Sequence, residues 1–205
     1  MNTAIKTFNL WAQNNKDEGM EKNHSFSVNK MLELIPSEKL SSEFSFIDIG
    51  CGNGWVVQNM NTHENCIKSV GIDGAEKMIK KAIAKDPNSD YFQLDIETMD
   101  YKDKFDIVFS MEVFYYFKDP LYVLNYIYKH ILKPGGCMIL GIDHYIENTS
   151  SLSWSKDLDL ILKTYSIEQW KSNFEKAGFK NIHTYQFGAK ENWAGTLVIY
   201  CEKID

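Results

Sequence analysis

Apolar positions along the 205-residue chain follow two spacings, one typical of strands and one typical of helices. Seven short, β-prone segments predict strands, at residues 44–50, 69–73, 91–96, 105–110, 136–143, 180–187 and 195–201. Three longer stretches carry apolar side chains at helical spacing, at residues 74–86, 120–132 and 166–178. Strands that alternate with helices in this way predict an α/β fold, a three-layer sandwich in which helices cover both faces of a mostly parallel sheet.

The last two predicted strands are joined differently from the others. Only residues 188–194 separate them. Two neighbouring parallel strands need a connection of about a dozen residues or more, so this short link predicts an antiparallel pair at one edge of the sheet.

Residues 1–43 precede the first predicted strand. They contain a predicted helix from about Ser27 to Ile35, which Pro36 ends, and a polar piece before it. The sequence shows no repeat and no linker, so residues 1–205 are predicted to form a single domain. Residues 1–43 are expected to be a helical extension that caps the active site.

Composition and charge limit the classes of binding partner that we expect. The chain is 44% hydrophobic and 14% aromatic, with a net charge of −6 and a pI of about 5.4. It has no run of five or more basic residues, so no nucleic-acid partner is expected. No apolar run approaches the roughly 18 residues of a membrane span, so no membrane partner is expected either.

The cysteines indicate a reducing compartment. Cys51, Cys66, Cys137 and Cys201 form no C-x-x-C pair, and two of them fall inside predicted strands. We therefore expect buried, reduced thiols in a cytoplasmic protein, and no metal site. The N-terminus also lacks the charged and then apolar pattern of a signal peptide.

A glycine-rich loop follows the first strand in the segment FIDIGCGNGW, residues 46–55. Gly50, Gly52 and Gly54 would let a ligand lie directly against the backbone at the carboxyl end of that strand. A dinucleotide fingerprint starting at Gly50 would place its last glycine at position 55, where the chain has Trp55. The loop also lacks the Gly-Lys-Ser/Thr ending of a phosphate-binding loop, so nothing in it favours a pyrophosphate.

Two acids follow at the ends of the next two predicted strands. Asp73 could accept both hydroxyls of a ribose, and Asp95 with the backbone N–H of Ile96 could receive an adenine. Either acid alone is also typical of a strand end or a helix cap. In order after the glycine loop, they predict an adenosine ligand whose third part is not a phosphate.

Five ordered segments resemble the motifs of class I S-adenosylmethionine-dependent methyltransferases. They are DIGCGNG (48–54), VGIDGAEKMIKKA (70–82), FQLDIETM (92–99), FDIVFSMEVFYYFKDP (105–120) and LKPGGCMIL (132–140). The resemblance covers most of residues 44–202 and is nearest to the small-molecule, ubiquinone-biosynthesis-like branch. It implies a Rossmann-like sheet of order 3-2-1-4-5-7-6 with strand 7 antiparallel, S-adenosyl-L-methionine as cofactor and S-adenosyl-L-homocysteine as product.

The resemblance also implies roles for individual residues. The backbone at Gly50 and Cys51 would hold the methionine part of the cofactor, and Asp48 would support its amino group. The remaining hydrogen bonds of that ammonium would go to a carbonyl near Ser110 or Met111. The implied cofactor-binding residues are Asp48, Gly50, Cys51, Gly52, Asp73, Gly74, Met78, Asp95, Ile96, Ser110 and Met111.

The methyl acceptor should meet residues after the fourth and fifth strands. Glu112, Tyr115 and Tyr116 follow the fourth strand, and the Tyr116 ring is a candidate to lie against the sulfonium. Residues 143–154 follow the fifth strand, and His144 in this loop is the candidate general base. The aromatic cluster could instead only pack the next helix, and His144 could only hydrogen-bond its own loop.

Further candidates on the acceptor side are weaker. His24 is a second possible base, and Asp143 or Glu147 could orient a substrate amine.

The alternatives differ in acceptor and in activity. Residues 110–113 read SMEV rather than the Asp/Asn-Pro-Pro-aromatic motif of nucleic-acid amino methylases. A cluster of acids after the fourth strand, which metal-assisted catechol methylation would need, is not found in the sequence. The sequence therefore favours a small-molecule acceptor of unidentified chemistry and leaves oligomeric state open. A protein acceptor and a non-enzymatic cofactor-binding protein also remain open, while Trp55 disfavours a nicotinamide enzyme.

Overall fold

Seven strands form one sheet in the computed structural model, which describes residues 3–204. They are β1 (Phe44–Ile49), β2 (Cys66–Asp73), β3 (Asp90–Gln93), β4 (Phe105–Met111), β5 (Leu132–Ile142), β6 (Lys180–Phe187) and β7 (Thr196–Glu202). Their order is β3-β2-β1-β4-β5-β7-β6. Strands β1 to β5 pair in parallel, and β7 runs antiparallel to both β5 and β6. The expected fold class and strand order are confirmed.

Eight α-helices connect or precede the strands in the described part of the chain. They are α1 (Thr3–Gln13), α2 (Lys16–Leu32), α3 (Ser37–Leu40), α4 (Trp55–Asn61), α5 (Glu76–Lys85), α6 (Pro120–Tyr126), α7 (Trp154–Asp157) and α8 (Ile167–Ala177). A π-helical turn, Ile127–Ile131, extends α6, and short 3-10 turns cover Phe114–Tyr116 and Thr149–Ser151. None of these helices is both long enough and apolar enough to cross a membrane.

Two boundaries differ from the sequence prediction. Helix α2 begins at Lys16, well before the predicted start near Ser27. Its first half is polar, and an apolar repeat could not reveal it. Strand β3 ends at Gln93, so Asp95 lies two residues beyond it, in a turn closed by the Thr98 N–H on the Asp95 carbonyl.

The core has two halves, one on each face of the sheet. Helices α6 and α8 cover one face, and the second half of α2 covers the other together with α4. Val28 and Met31 of α2 are fully buried, which stabilises the fold by about 1.5–3 kcal/mol for each side chain. Met31 approaches so closely to β5 that a Cβ atom at Gly141 would lie 2.6 Å from its sulfur. The N-terminal segment is therefore part of the packed core.

Lysines of α5 connect the N-terminal helices to the strand–helix units. Lys81 Nζ lies 2.6 Å from Asp17 Oδ1, and Lys85 Nζ lies 3.0 Å from Glu21 Oε2. Lys77 donates from its backbone N–H to Asn9 Oδ1 at 3.0 Å. These contacts fix α1 and the start of α2 over the carboxyl ends of β1 and β2.

Candidate active site

A cavity opens at the carboxyl ends of β1, β2 and β4, where parallel α/β sheets place their ligands. Its floor is the glycine loop and the end of β2, and its roof is formed by α1 and α2. The described residues that line it include Ile5, Phe8, Asp17, Met20, Glu21, His24, Asp48, Gly50, Cys51, Gly52, Asn53, Asp73, Gly74, Met78, Ile96, Met111, Glu112, Val113 and Tyr116.

The glycines of the loop meet different surroundings. A Cβ atom at Gly54, where φ is +81°, would lie 2.7 Å from the Tyr91 ring, so this glycine lets the loop pack on β3. A Cβ atom at Gly50 would lie 2.2 Å from Val113 in the turn after β4. A Cβ atom at Gly52 would meet nothing within 4 Å and would enter the cavity. Gly50 and Gly54 therefore serve packing, and Gly52 keeps the floor of the cavity open.

The backbone amides of this loop are engaged by the protein itself. The N–H groups of Gly50 and Cys51 both donate to the Ile72 carbonyl, at 2.8 and 3.0 Å. The N–H of Gly52 donates to Asp73 Oδ2 at 3.0 Å. The loop is thus preformed, and at Gly52 it presents to the cavity a stretch of backbone that no side chain covers.

Two acids at the strand ends face the cavity. Asp48 is 3% exposed, and its Oδ1 has no hydrogen-bond partner within residues 3–204. Burial, together with the charge of Asp73, raises the pKa of Asp48 well above its usual range. The Asp73 oxygens accept from the N–H groups of Gly52 and Ala75, and each keeps a further lone pair for a ligand hydroxyl.

The structure brings most of the predicted cofactor residues together. Nine of the eleven line the cavity: Asp48, Gly50, Cys51, Gly52, Asp73, Gly74, Met78, Ile96 and Met111. Gly74 lies beneath α1, where a Cβ atom would come within 2.6 Å of Ile5.

Two of the predicted cofactor residues are not part of the cavity lining. Asp95 is exposed and accepts from the Glu97 N–H, and Ser110 is buried and donates to the Ile49 carbonyl.

Helix α2 contributes polar residues that the sequence analysis largely missed. Asp17, Glu21 and His24 lie on one helical face and line the cavity. Asn53 of the glycine loop donates to Asp17 at 3.0 Å and to Glu21 at 3.3 Å. Burial by itself raises the pKa of Asp17, but hydrogen bonds from Lys81 and Asn53 outweigh it and lower that pKa. Their spacing at i, i+4 and i+7 is the sequence feature that could have indicated a shared helical face.

A buried acidic cluster lies where α2 meets the turns after β4 and β5. Glu112 is 8% exposed and Asp143 is 5% exposed. Glu112 accepts from the Tyr115 hydroxyl at 2.6 Å and from the Asp143 backbone N–H. His24 Nε2 lies 3.6 Å from Asp143 Oδ2. The sequence identified His24, Glu112 and Asp143 as separate candidates but could not predict that they meet, because they are far apart along the chain.

Charge and burial together shift the pKa values of this cluster. Burial and the neighbouring Asp143 raise the pKa of Glu112 to about 8. Burial by itself lowers the pKa of His24, but the carboxyls of Asp143 and Glu112 outweigh it, so that this pKa is raised. Near neutral pH the cluster can therefore take up or release a proton.

A second cavity of about 340 Å³ adjoins the first. Met20, His24, Glu112 and Tyr116 line both cavities. The other residues that line the second cavity are Trp11, Tyr115, Trp154, Asp157 and Leu158. Tyr116, one of the two predicted catalytic residues, thus lies at the boundary, with its ring 4.4 Å from that of Tyr115 and 5.2 Å from that of Phe8.

The other predicted catalytic residue, His144, lies in neither cavity lining. It is fully buried, with Nδ1 2.9 Å from the Ser151 carbonyl and Nε2 2.8 Å from Thr164 Oγ1. A carbonyl can only accept, so Nδ1 carries the proton and Nε2 accepts from the hydroxyl. Burial also lowers the pKa of His144. This geometry gives the ring a structural role behind Tyr115 and Trp154, and it leaves no ring nitrogen for a substrate.

A family profile described as "Methyltransferase domain" matches residues 47–140, the segment from β1 to β5 that carries the glycine loop and Asp73. The chain belongs to the class I S-adenosylmethionine-dependent methyltransferases. S-adenosylmethionine is the cofactor of this enzyme class. The sheet order of this methyltransferase, with β7 reversed, is the one that the family resemblance implies.

Curated relatives of this methyltransferase include tRNA U34 carboxymethyltransferases. That of Actinobacillus pleuropneumoniae serotype 3 is 29% identical over 161 residues, which are 73% of this chain and 49% of the relative. That of Mannheimia succiniciproducens is 30% identical over 149 residues, 66% of this chain and 45% of the relative. The chain thus spans about half the length of these relatives.

Solved structures share the fold of this methyltransferase. A chain from the complex of the Haloferax volcanii Trm112 methyltransferase activator with a methyltransferase superposes with a TM-score of 0.83 at 24% identity, covering 97% of this chain and 98% of that one. The possible histamine N-methyltransferase of Thermotoga maritima superposes with a TM-score of 0.70 at 22% identity, covering 96% and 99%.

The cavity fits the cofactor of the family. An orphaned carboxylate oxygen on Asp48 suits the ammonium of the methionine part, and the open space at Gly52 leaves room beside it. The free lone pairs of Asp73 suit the ribose hydroxyls.

Proposed function

We propose that this methyltransferase transfers the methyl group of S-adenosylmethionine to a small molecule that occupies the second cavity. One observation carries the proposal: the two cavities adjoin, and their shared boundary holds His24, Glu112 and Tyr116. A cofactor in the first cavity and an acceptor in the second would meet at these side chains.

Each cofactor contact is proposed from the residues that line the first cavity. Asp73 would bind the ribose, Asp48 the ammonium, and Met78 with Ile96 the adenine face. When bound, S-adenosylmethionine supplies an electrophilic methyl group on a positively charged sulfur. The protein then has to align the acceptor with the methyl–sulfur bond and keep water away. Alignment of this kind supplies about 7–11 kcal/mol of barrier reduction.

On the acceptor side, Glu112 replaces His144 as the proposed general base. Its carboxyl lines both cavities, and its pKa of about 8 lies close to neutral pH, where a general base works best. Tyr116 would lie beside the sulfonium, and Tyr115 orients Glu112 through its hydroxyl. His24, when protonated, would balance the negative charge of the Glu112 and Asp143 carboxyls.

Helices α1 and α2 are proposed to cap the site as part of one domain spanning residues 1–205. Ile5 over Gly74 and Asp17 on Asn53 close the cofactor cavity from above. Such a cap would exclude water from the methyl group. The four cysteines are free thiols, which supports a reducing compartment such as the cytoplasm.

The proposal is tested first at the cofactor. Titration calorimetry with S-adenosylhomocysteine should give a binding heat for the native chain, and Asp73→Ala should weaken binding about 10- to 100-fold through loss of charge-assisted hydrogen bonds. Asp103→Ala, which removes an exposed carboxylate paired with Lys68, is the matched control and should bind as the native chain does. Absence of any binding heat in the native chain would refute the proposed function.

A second candidate acceptor is tRNA, because curated relatives modify tRNA U34. Two features weaken it: the net charge is −6, and the sequence contains no arginine, the residue best suited to paired phosphate contacts. Incubation with the methyl-labelled donor and either bulk tRNA, a protein extract or a low-molecular-weight metabolite fraction separates the candidates. We expect label in the metabolite fraction; label in tRNA or in protein would replace the small-molecule proposal, and no transfer to any fraction would favour a non-enzymatic binder.

A further inference from the structure

Aromatic and acidic side chains dominate the second cavity. Trp11, Tyr115, Tyr116 and Trp154 provide four rings, and Glu112 and Asp157 provide two carboxyls. No lysine occurs among the described residues of this lining, and the sequence has no arginine at all. The lining therefore has no fixed positive charge with which to hold a phosphate or a carboxylate of an acceptor.

Glu112 of this lining is backed by a second carboxyl, that of Asp143, which lies outside the lining of both cavities. Glu112 and Asp143 are both buried, and the Asp143 N–H donates to Glu112. Asp143 Oδ1 is buried and has no hydrogen-bond partner in the described structure. The imidazole of His24, 3.6 Å from Asp143 Oδ2, is the one basic side chain among the described residues that line the second cavity. Two buried carboxyls beside a single imidazole favour a cationic ligand, since an unpaired buried charge is costly.

We infer that the methyl acceptor is an organic amine, held as its ammonium between the aromatic rings of the second cavity and the carboxyl of Glu112, with the buried carboxyl of Asp143 behind Glu112. The inference rests on the proposed function and names its substrate class. Aromatic faces attract organic cations, so the rings and the acids select the same chemistry. With Glu112 ionised, transfer of one ammonium proton to its carboxylate breaks an N–H bond and forms an O–H bond, and the nitrogen keeps the electron pair. That pair forms the new N–C bond as the methyl–sulfur bond breaks and its electron pair goes to sulfur.

A divalent metal ion is the competing ligand for the same cluster. One atom from each of His24, Glu112 and Asp143 lies within 4.8 Å of the others, a spacing that a metal ion could bridge. The aromatic walls favour the amine, because they attract an organic cation and contribute nothing to a bare metal ion.

The test measures binding rather than turnover. Protein saturated with S-adenosylhomocysteine is titrated with matched pairs that differ in one functional group: 2-phenylethylamine against 2-phenylethanol, hexylamine against hexanol, and 1,4-diaminobutane against 1,4-butanediol. We expect at least one amine to bind tenfold or more tightly than its alcohol. Glu112→Gln should remove that preference, and the matched control Glu175→Gln, an exposed carboxyl on α8, should keep it.

A second variant keeps the test informative if Glu112→Gln does not fold. Trp154→Leu changes a partly exposed wall residue and should weaken the amine at least threefold while changing the binding of the alcohol less. The inference is overturned if no amine binds better than its alcohol. It is also overturned if MgCl₂, MnCl₂ or ZnCl₂ alone raises the Tm of the native chain and Glu112→Gln abolishes the rise. If S-adenosylhomocysteine itself does not bind, the proposed function fails; if it binds and the amines do not, only the amine inference fails.

Discussion

Glu112 should make the stability of the protein depend on pH in a way that a single substitution removes. The carboxyl is buried in the turn after β4, at a backbone φ of +61°. Burial and the charge of Asp143 raise its pKa from 4.5 to about 8 in the folded protein. Glu112→Gln keeps the shape of the side chain and removes the titration.

The sign of the effect follows from proton binding. Below pH 4.5 both the folded and the unfolded chain hold the Glu112 proton, and the stability associated with it is fully present. Between pH 4.5 and 8 the unfolded chain releases the proton first, so the free energy of unfolding falls as pH rises. The difference between the two pKa values corresponds to roughly 5 kcal/mol at about 1.36 kcal/mol per pH unit. Water drawn in from the adjoining cavities would reduce this, so we expect about 2–3 kcal/mol.

Urea unfolding at pH 5.5, 7 and 9 measures the effect. Relative to the native chain, Glu112→Gln should gain about 1–2 kcal/mol of stability between pH 5.5 and pH 9, because only the native chain ionises a buried carboxyl over that range and part of the full effect falls below pH 5.5. Glu175→Gln, an exposed carboxyl of α8, serves as the control and should follow the native chain. Parallel curves for the native chain and Glu112→Gln would refute the reasoning that Glu112 is protonated in its buried setting.

Further substitutions test the loop, the roof and the loop after β5. Gly50→Ala should destabilise the fold by about 1–3 kcal/mol, because its methyl group would meet Val113 at 2.2 Å, as chemical denaturation would show. Gly52→Ala should cost about 1 kcal/mol or less yet abolish the binding heat of S-adenosylhomocysteine, because its methyl group enters the cavity; unchanged affinity would contradict the placement of the cofactor. Asp17→Asn should cost about 1–3 kcal/mol by weakening the contacts to Lys81 and Asn53, and it should make residues 3–32 more sensitive to protease. Thr164→Val and His144→Ala should each lower the Tm and leave the pH dependence of turnover unchanged, since His144 serves the loop; a shifted pH profile in either variant would restore His144 as a base.

The sequence by itself determined the sheet and placed several strand-end residues at the first cavity. Strand–helix alternation reveals parallel strands, and parallel strands bring their carboxyl ends to one edge. Asp48, Gly52 and Asp73 line the first cavity because each lies at or just after the end of a strand, a position that the local sequence pattern reveals. The short link before Gly195 likewise determined the reversed β7, since chain length alone excludes a crossover.

The acceptor end was decided only by tertiary structure. His24, Glu112 and Asp143 come from α2 and from the turns after β4 and β5, and only packing of α2 against β5 brings them together. The sequence did not predict the start of α2, because the inward face of the helix is polar where it lines a cavity. This part of the chain therefore lacks apolar side chains at helical spacing. Asp143 and His144 are adjacent in sequence, yet one joins the acidic cluster and the other turns into its own loop. Which side chain of such a pair faces the site depends on contacts with distant segments, and those contacts leave no local pattern in the sequence.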